Sequence, residues 1–158
     1  LQQSHKDLGD AHVTHPGEQV IEFFVETLDR PGKKAGKGFY EYPSDGPKRL
    51  WPEISAHYPL LNDQPDVEEV KKRFLHVQSL ETIRCFDEGV VTTRQDADVG
   101  SVLGWGFPLH TGGTASYVRL VGAEKMEDEC RALADKHGER FQPPANFQEI
   151  AERIETAA

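Results

Sequence analysis

A chain of 158 residues with 27 acidic against 18 basic side chains, net charge −9, lacks the basic surface through which nucleic-acid-binding proteins neutralise phosphate. Its 37% apolar and 28% charged composition is that of a globular chain, and no apolar run approaches the roughly 20 residues that span a bilayer. Cys85 and Cys130 are too few and too far apart for a metal knuckle or a disulfide framework, and two free thiols suit a reducing compartment.

Residues 1–14 are polar and without periodicity and read as a frayed end. No charged-then-apolar leader opens the sequence, and with Leu1 first and Met126 the only methionine, a longer parent polypeptide is expected. A helix starts at Pro16: Ile21, Phe24, Val25 and Leu28 recur at helical spacing until Pro31-Gly32.

The most informative run follows, from Gly32 to Pro43. Gly36 and Gly38 can take positive φ at little cost and so allow a tight turn, and Phe39, Tyr40 and Tyr42 supply apolar surface as an extended anchor. Lys33, Lys34 and Lys37 with the exposed amides could hold a phosphate, such as that of a CoA nucleotide. The favoured reading is a solvated turn ahead of a packed aromatic pair. It is not a P-loop, since Gly38 follows Lys37 where Ser or Thr is required.

Residues 44–65 form a proline-rich connector, with Ser44-Asp45-Gly46-Pro47 as a turn. It is read as packed because Leu50, Trp51, Ile54, Tyr58, Leu60 and Leu61 would otherwise be exposed. Asp66 then caps a long helix burying Val67, Val70, Phe74, Val77, Leu80 and Ile83 and ending at Gly89. Thr93 and Asp96 have capping-box spacing for a helix through Leu103, which Gly104-Trp105-Gly106-Phe107-Pro108 breaks. Helices near 115–121, 124–137 and 145–154 complete the chain, with Gly122 and Gly138 as C-terminal caps and Pro143-Pro144 leading into the last. The spacing of Ile21, Phe24, Val25 and Leu28 returns at Phe147, Ile150, Ala151 and Ile154, as any amphipathic helix would allow.

Gly104-Trp105-Gly106 imitates a dinucleotide fingerprint, but Leu109 holds the third glycine position and no strand precedes it. The expectation is a tight helix–helix corner in which Gly104 and Gly106 allow close approach, Trp105 and Phe107 fill the gap, and Pro108 ends the turn. His12 and His15 lie within reach of one metal ion, but no third ligand is spaced to complete a site, and none is expected. His76 and His110 are the histidines expected near packed structure, the latter as a partly exposed loop residue. Asp87-Glu88 and residues 96–98 read as helix-end acids. No nucleophile, base and oxyanion donor assemble, and the residues alone specify a mostly helical domain.

Taken in order, residues 33–43, Lys48-Arg49-Leu50-Trp51-Pro52, residues 67–73 leading to 84–92, Asp96-Ala97-Asp98-Val99-Gly100 with residues 103–108, Thr111-Gly112-Gly113, and His137-Gly138-Glu139-Arg140-Phe141 with Pro143-Pro144 resemble 3-hydroxyacyl-CoA dehydrogenases. The resemblance runs from about His15 to Ile154 and is closest to the multifunctional fatty-acid β-oxidation proteins. It implies a mainly α helical-repeat domain similar to the 6-phosphogluconate dehydrogenase C-terminal-like fold, with residues 1–43 as the tail of a first repeat, 44–65 as the packed connector and 66–158 as the second repeat. In that family the NAD-binding Rossmann domain and the catalytic histidine–glutamate pair lie upstream, so no catalytic, NAD-binding or metal-binding residue is carried onto this chain. The resemblance further implies an acyl-CoA substrate met through the full-length protein, an upstream Rossmann domain as partner, a homodimer or thiolase-subunit complex, and a bacterial-type cytoplasm or an organellar matrix. The competing expectation is a stand-alone helical interaction or CoA-binding module derived from that domain.

Overall fold

The computed structural model describes residues 2–157. It is mainly helical and divides into two compact units, Leu1–Gln64 and Pro65–Ala158. No helix among the described residues is long and apolar enough to cross a membrane.

In the first unit α1 (Gln2–Leu8) leads through a 3-10 turn (Gly9–Ala11) to α2 (Pro16–Glu22), so the segment expected to fray is helical. Pro16 occupies the first turn of α2, where its missing N–H costs nothing. The helix then widens into a π turn at Phe23–Thr27 and is closed by Asp29, whose φ of 48° places Arg30 N–H on Phe24 O at 2.8 Å. The helix thus stops on a left-handed residue, ahead of Pro31. Of the apolar positions on this helix only Phe24 is buried, while Ile21 and Val25 are exposed.

The lysine turn carries a 3-10 turn at Lys33–Ala35, and β1 (Tyr40–Glu41) pairs antiparallel with β2 (Arg49–Leu50), Tyr40 opposite Leu50. α3 (Ile54–His57) follows. The core here is an aromatic knot: Phe24 sits 4.2 Å from Phe39 and 6.0 Å from Trp51 between centroids, and Tyr58 stacks on Phe24 at 6.1 Å. Trp51 is the only buried residue of the connector; Leu50, Tyr58, Leu60 and Leu61 are exposed, contrary to expectation. One small aromatic knot has a perimeter too short to cover them all.

The second unit is built on α4 (Val67–Asp87), whose first turn is capped by Asp66 accepting from the N–H groups of Glu68 and Glu69. α5 (Arg94–Trp105), a 3-10 turn (Leu109–Thr111), α6 (Thr114–Val121), α7 (Ala123–His137), a second 3-10 turn (Glu139–Phe141) and α8 (Phe147–Thr156) follow. Leu80, Ile83 and Phe86 of α4 meet Val118, Met126, Cys130 and the whole inner face of α8 in one core. Each fully buried Leu, Ile or Phe there contributes about 1.5–3 kcal/mol. The outer half of α4 departs from expectation: Val67 and Phe74 are exposed, because the buried phase runs through His76, Ser79, Leu80 and Ile83. Two of those inward positions are polar, so counting apolar residues selects the wrong stripe.

Candidate functional site

In the lysine turn Gly36 uses the left-handed freedom of glycine, at φ 73°, and Gly38 does not; its constraint is close approach, since a Cβ there would meet Gly32 Cα at 2.9 Å. Gly32 N–H donates to Lys37 O at 2.7 Å, closing the loop on itself. Lys37 Nζ donates to Asp29 Oδ2 at 2.6 Å, and that hydrogen bond keeps the carboxyl below its usual range. Lys33 and Lys34 are exposed. One of the three candidate phosphate ligands therefore already has a carboxylate partner. The cation that organises the turn is one that composition does not single out: Arg30 donates Nε–H to Gly38 O at 2.8 Å and lies 4.2 Å over the Trp51 ring. Phe39 and Tyr40 are half-exposed, short of the packed pair expected.

The glycine–tryptophan corner is rearranged relative to expectation. Gly104 lies within α5, and a Cβ there, or at Gly106, meets nothing; Gly106 serves by its φ of 79° as the left-handed cap. Phe107 is buried at 2% exposure, but Trp105 is 61% exposed. Its indole Nε1 donates to Gln78 Oε1 at 2.8 Å, so the ring lies fixed against α4. Gln78, Thr82, Cys85, Val91, Ala97 and Trp105 line a cleft of about 300 Å³ between α4 and α5. Pro108 starts the next turn, its carbonyl accepting from Thr111 N–H at 3.0 Å.

The true close approach is at Gly113, where a Cβ would lie 2.4 Å from Asp98 Cα. Asp98 is buried and accepts from Ser116 N–H at 2.9 Å and from Ser116 Oγ at 2.6 Å, tying α5 to the start of α6. Ser101 Oγ accepts from Thr114 N–H at 3.1 Å, and Thr82 Oγ1 meets Thr114 Oγ1 at 2.8 Å. Thr93 is the cap of α5, its Oγ1 accepting from Asp96 N–H at 3.1 Å and donating to Asp96 Oδ2 at 2.7 Å; Asp98 is a buried joint between helices, which its spacing did not reveal.

His76 is 1% exposed on α4, with Nε2 2.8 Å from Glu129 Oε2 of α7 and Nδ1 3.4 Å from Tyr117 Oη. Lys72 Nζ reaches the other Glu129 oxygen at 2.7 Å. Burial is the largest influence on His76 and holds its pKa below 6.5 against the opposing pull of Glu129. Burial alone would raise Glu129, but its hydrogen bonds to Lys72 and His76 outweigh that and hold it below the usual range. The network is therefore a neutral imidazole donating to an ionised carboxylate, with Lys72 balancing the charge. Burial also pushes the Cys130 thiol up to about 12, so it is a core side chain and no nucleophile.

Of the remaining histidines, His110 is exposed in the 3-10 turn. His15 does not pair with His12: its Nδ1 accepts from Gly17 N–H at 3.0 Å as the cap of α2. Among the described residues, the His76–Glu129–Lys72 network ties α4 to α7, and the Trp105 cleft is one of the apolar clefts beside α4. No family model matches the chain.

Proposed function

We propose that the chain is a helical, substrate-cleft-forming part of an NAD-dependent 3-hydroxyacyl-CoA dehydrogenase of fatty-acid β-oxidation, the parent of which oxidises an L-3-hydroxyacyl-CoA to the 3-ketoacyl-CoA. The observation that carries this reading is the order and spacing of the resembling segments, from the glycine–lysine–aromatic run through Asp98 and Thr111-Gly112-Gly113 to Pro143-Pro144. The helical second unit corresponds on this reading to the second repeat of the 6-phosphogluconate dehydrogenase C-terminal-like fold, and residues 44–65 to the connector.

Physical support comes from the outer surface of α4, α5 and the turn that follows. Phe74, Leu103, Trp105 and Leu109 are exposed, and Trp105 is locked by Gln78. An exposed aromatic beside an apolar cleft is what a wall needs if another domain closes on it. NAD and the catalytic pair belong to that other domain, an upstream Rossmann domain, and hydride transfer proceeds in the dry space so enclosed. The 158 residues by themselves are inactive on this reading. The coding sequence immediately upstream of Leu1 tests it. An in-frame Rossmann fingerprint is expected; a start codon with its ribosome-binding site at that point would overturn it in favour of a stand-alone module.

A further inference from the structure

The first turns of the chain bring together three side chains from three successive elements. α1 carries His5, the turn at Gly9–Ala11 reverses the chain with Gly9 at φ 51°, and His12 follows it. Glu18 comes from the first turn of α2. His12 Nε2 stands 3.0 Å and His5 Nε2 3.4 Å from the same atom, Glu18 Oε2. The ring centroids are 3.9 Å apart, and one donor atom from each residue lies within 4.8 Å of the others.

We propose that His5, His12 and Glu18 form a binding site for one divalent late first-row transition ion of the zinc class. A tetrahedral ion with ligands at about 2.0–2.1 Å separates neighbouring ligand atoms by roughly 3.3–3.4 Å. The His5 distance of 3.4 Å matches that edge, and the His12 distance of 3.0 Å is a few tenths of an ångström short of it. The capping box orients Glu18 as a ligand, because its Oε1 accepts from His15 N–H at 3.3 Å and leaves Oε2 alone to face the histidines. The same capping removes His15, whose Nδ1 is engaged by Gly17.

The side chains of His12 and Glu18 are 10% and 14% exposed and that of His5 47%, so two ligands are partly buried and the third faces solvent. His12 Nδ1 is buried without a hydrogen-bond partner among the described residues, so the ring acts only through Nε2. Two nitrogens and one oxygen suit zinc, cobalt, nickel or copper and not magnesium or calcium, which take oxygen ligands. Three protein ligands leave a fourth position to water.

The test is titration of the metal-free 158-residue chain with zinc chloride by calorimetry, and with cobalt(II) by visible absorption, which reports four-coordinate geometry. One saturable equivalent is expected. His5→Ala, His12→Ala and Glu18→Gln each weaken it by at least about tenfold, while His110→Ala leaves it unchanged. Circular dichroism shows whether each variant keeps its helices; His5 is half-exposed, so its variant decides if His12→Ala unfolds. Absence of saturable binding, or binding that His5→Ala does not weaken, overturns the proposal.

Discussion

Trp105 donates its indole N–H to Gln78 Oε1 across one helical crossing, at 2.8 Å, while 61% of its surface stays in contact with solvent. Two residues on, Phe107 is 2% exposed. The pair divides surface from core within one turn. Trp105→Ala is expected to cost about 1 kcal/mol, the worth of one hydrogen bond and partial packing. Phe107→Ala is expected to cost about 3–5 kcal/mol. Denaturant melts of both variants check this, and acrylamide should quench Trp105 readily and the buried Trp51 poorly. Equal losses in the two variants would contradict the assignment.

Gly113 and Asp98 set the second expectation. A methyl group at 113 would overlap Asp98 Cα and Cβ, and the residue has φ 121°. Gly113→Ala should therefore destabilise by more than about 2 kcal/mol, from strain and displaced packing together. Gly36→Ala, at φ 73° with open space around it, should cost about 1 kcal/mol. The order of the two melting temperatures is the readout.

The lysine turn separates charge from packing. Neutralising Lys33, Lys34 and Lys37 to Gln should change stability by less than about 1 kcal/mol, since the one ion pair among them, to Asp29, is exposed. Arg30→Ala removes a hydrogen bond to Gly38 and the contact over Trp51 and should cost about 2 kcal/mol. CoA binding that falls with salt and vanishes in the triple lysine variant would show that the turn is a phosphate site after all.

Protonation gives a signed expectation. His76 is held below 6.5 by burial, so the folded imidazole stays neutral where the unfolded one has taken a proton. Stability from this group is full above 6.5 and declines as pH falls through 6.5 towards the lower folded value, by at most about 1.4 kcal/mol per pH unit. Glu69 extends the decline in more acid solution. Hydrogen bonds from Lys136 and His137 lower it to about 2, and its contribution is lost from the usual carboxylate range down to that value. Urea melts at about pH 7.5 and about pH 5.5 read the His76 segment, which His76→Gln should flatten. An unchanged slope in that variant would contradict the assignment.

The helices of the second unit were legible because their ends carry chemistry: Asp66, Thr93, Gly122 and Gly138 each stop or start an element where they stand. Phe147, Ile150, Ala151 and Ile154 all turn inward on α8. The same spacing from Ile21 to Leu28, across α2 and its π turn, buries only Phe24, because periodicity gives a face without saying what lies opposite it. Long-range polar pairs were the hidden part. Asp98 with Ser116, His76 with Glu129, and Glu18 with His5 and His12 join residues whose types are ordinary and whose meeting depends on the fold. Gly113 was hidden for the same reason, while Gly104 and Trp105 drew attention by composition alone.

If these residues serve a dehydrogenase whose chemistry lies upstream, the most direct measurement is oxidation of NADH by acetoacetyl-CoA, followed by absorbance. It compares the purified 158-residue chain with the longer product of the same reading frame. No turnover above a protein-free control by the chain, and clear turnover by the longer product, is the predicted result. Turnover by the 158 residues alone, in material free of host enzyme, or none by the longer product, would contradict it.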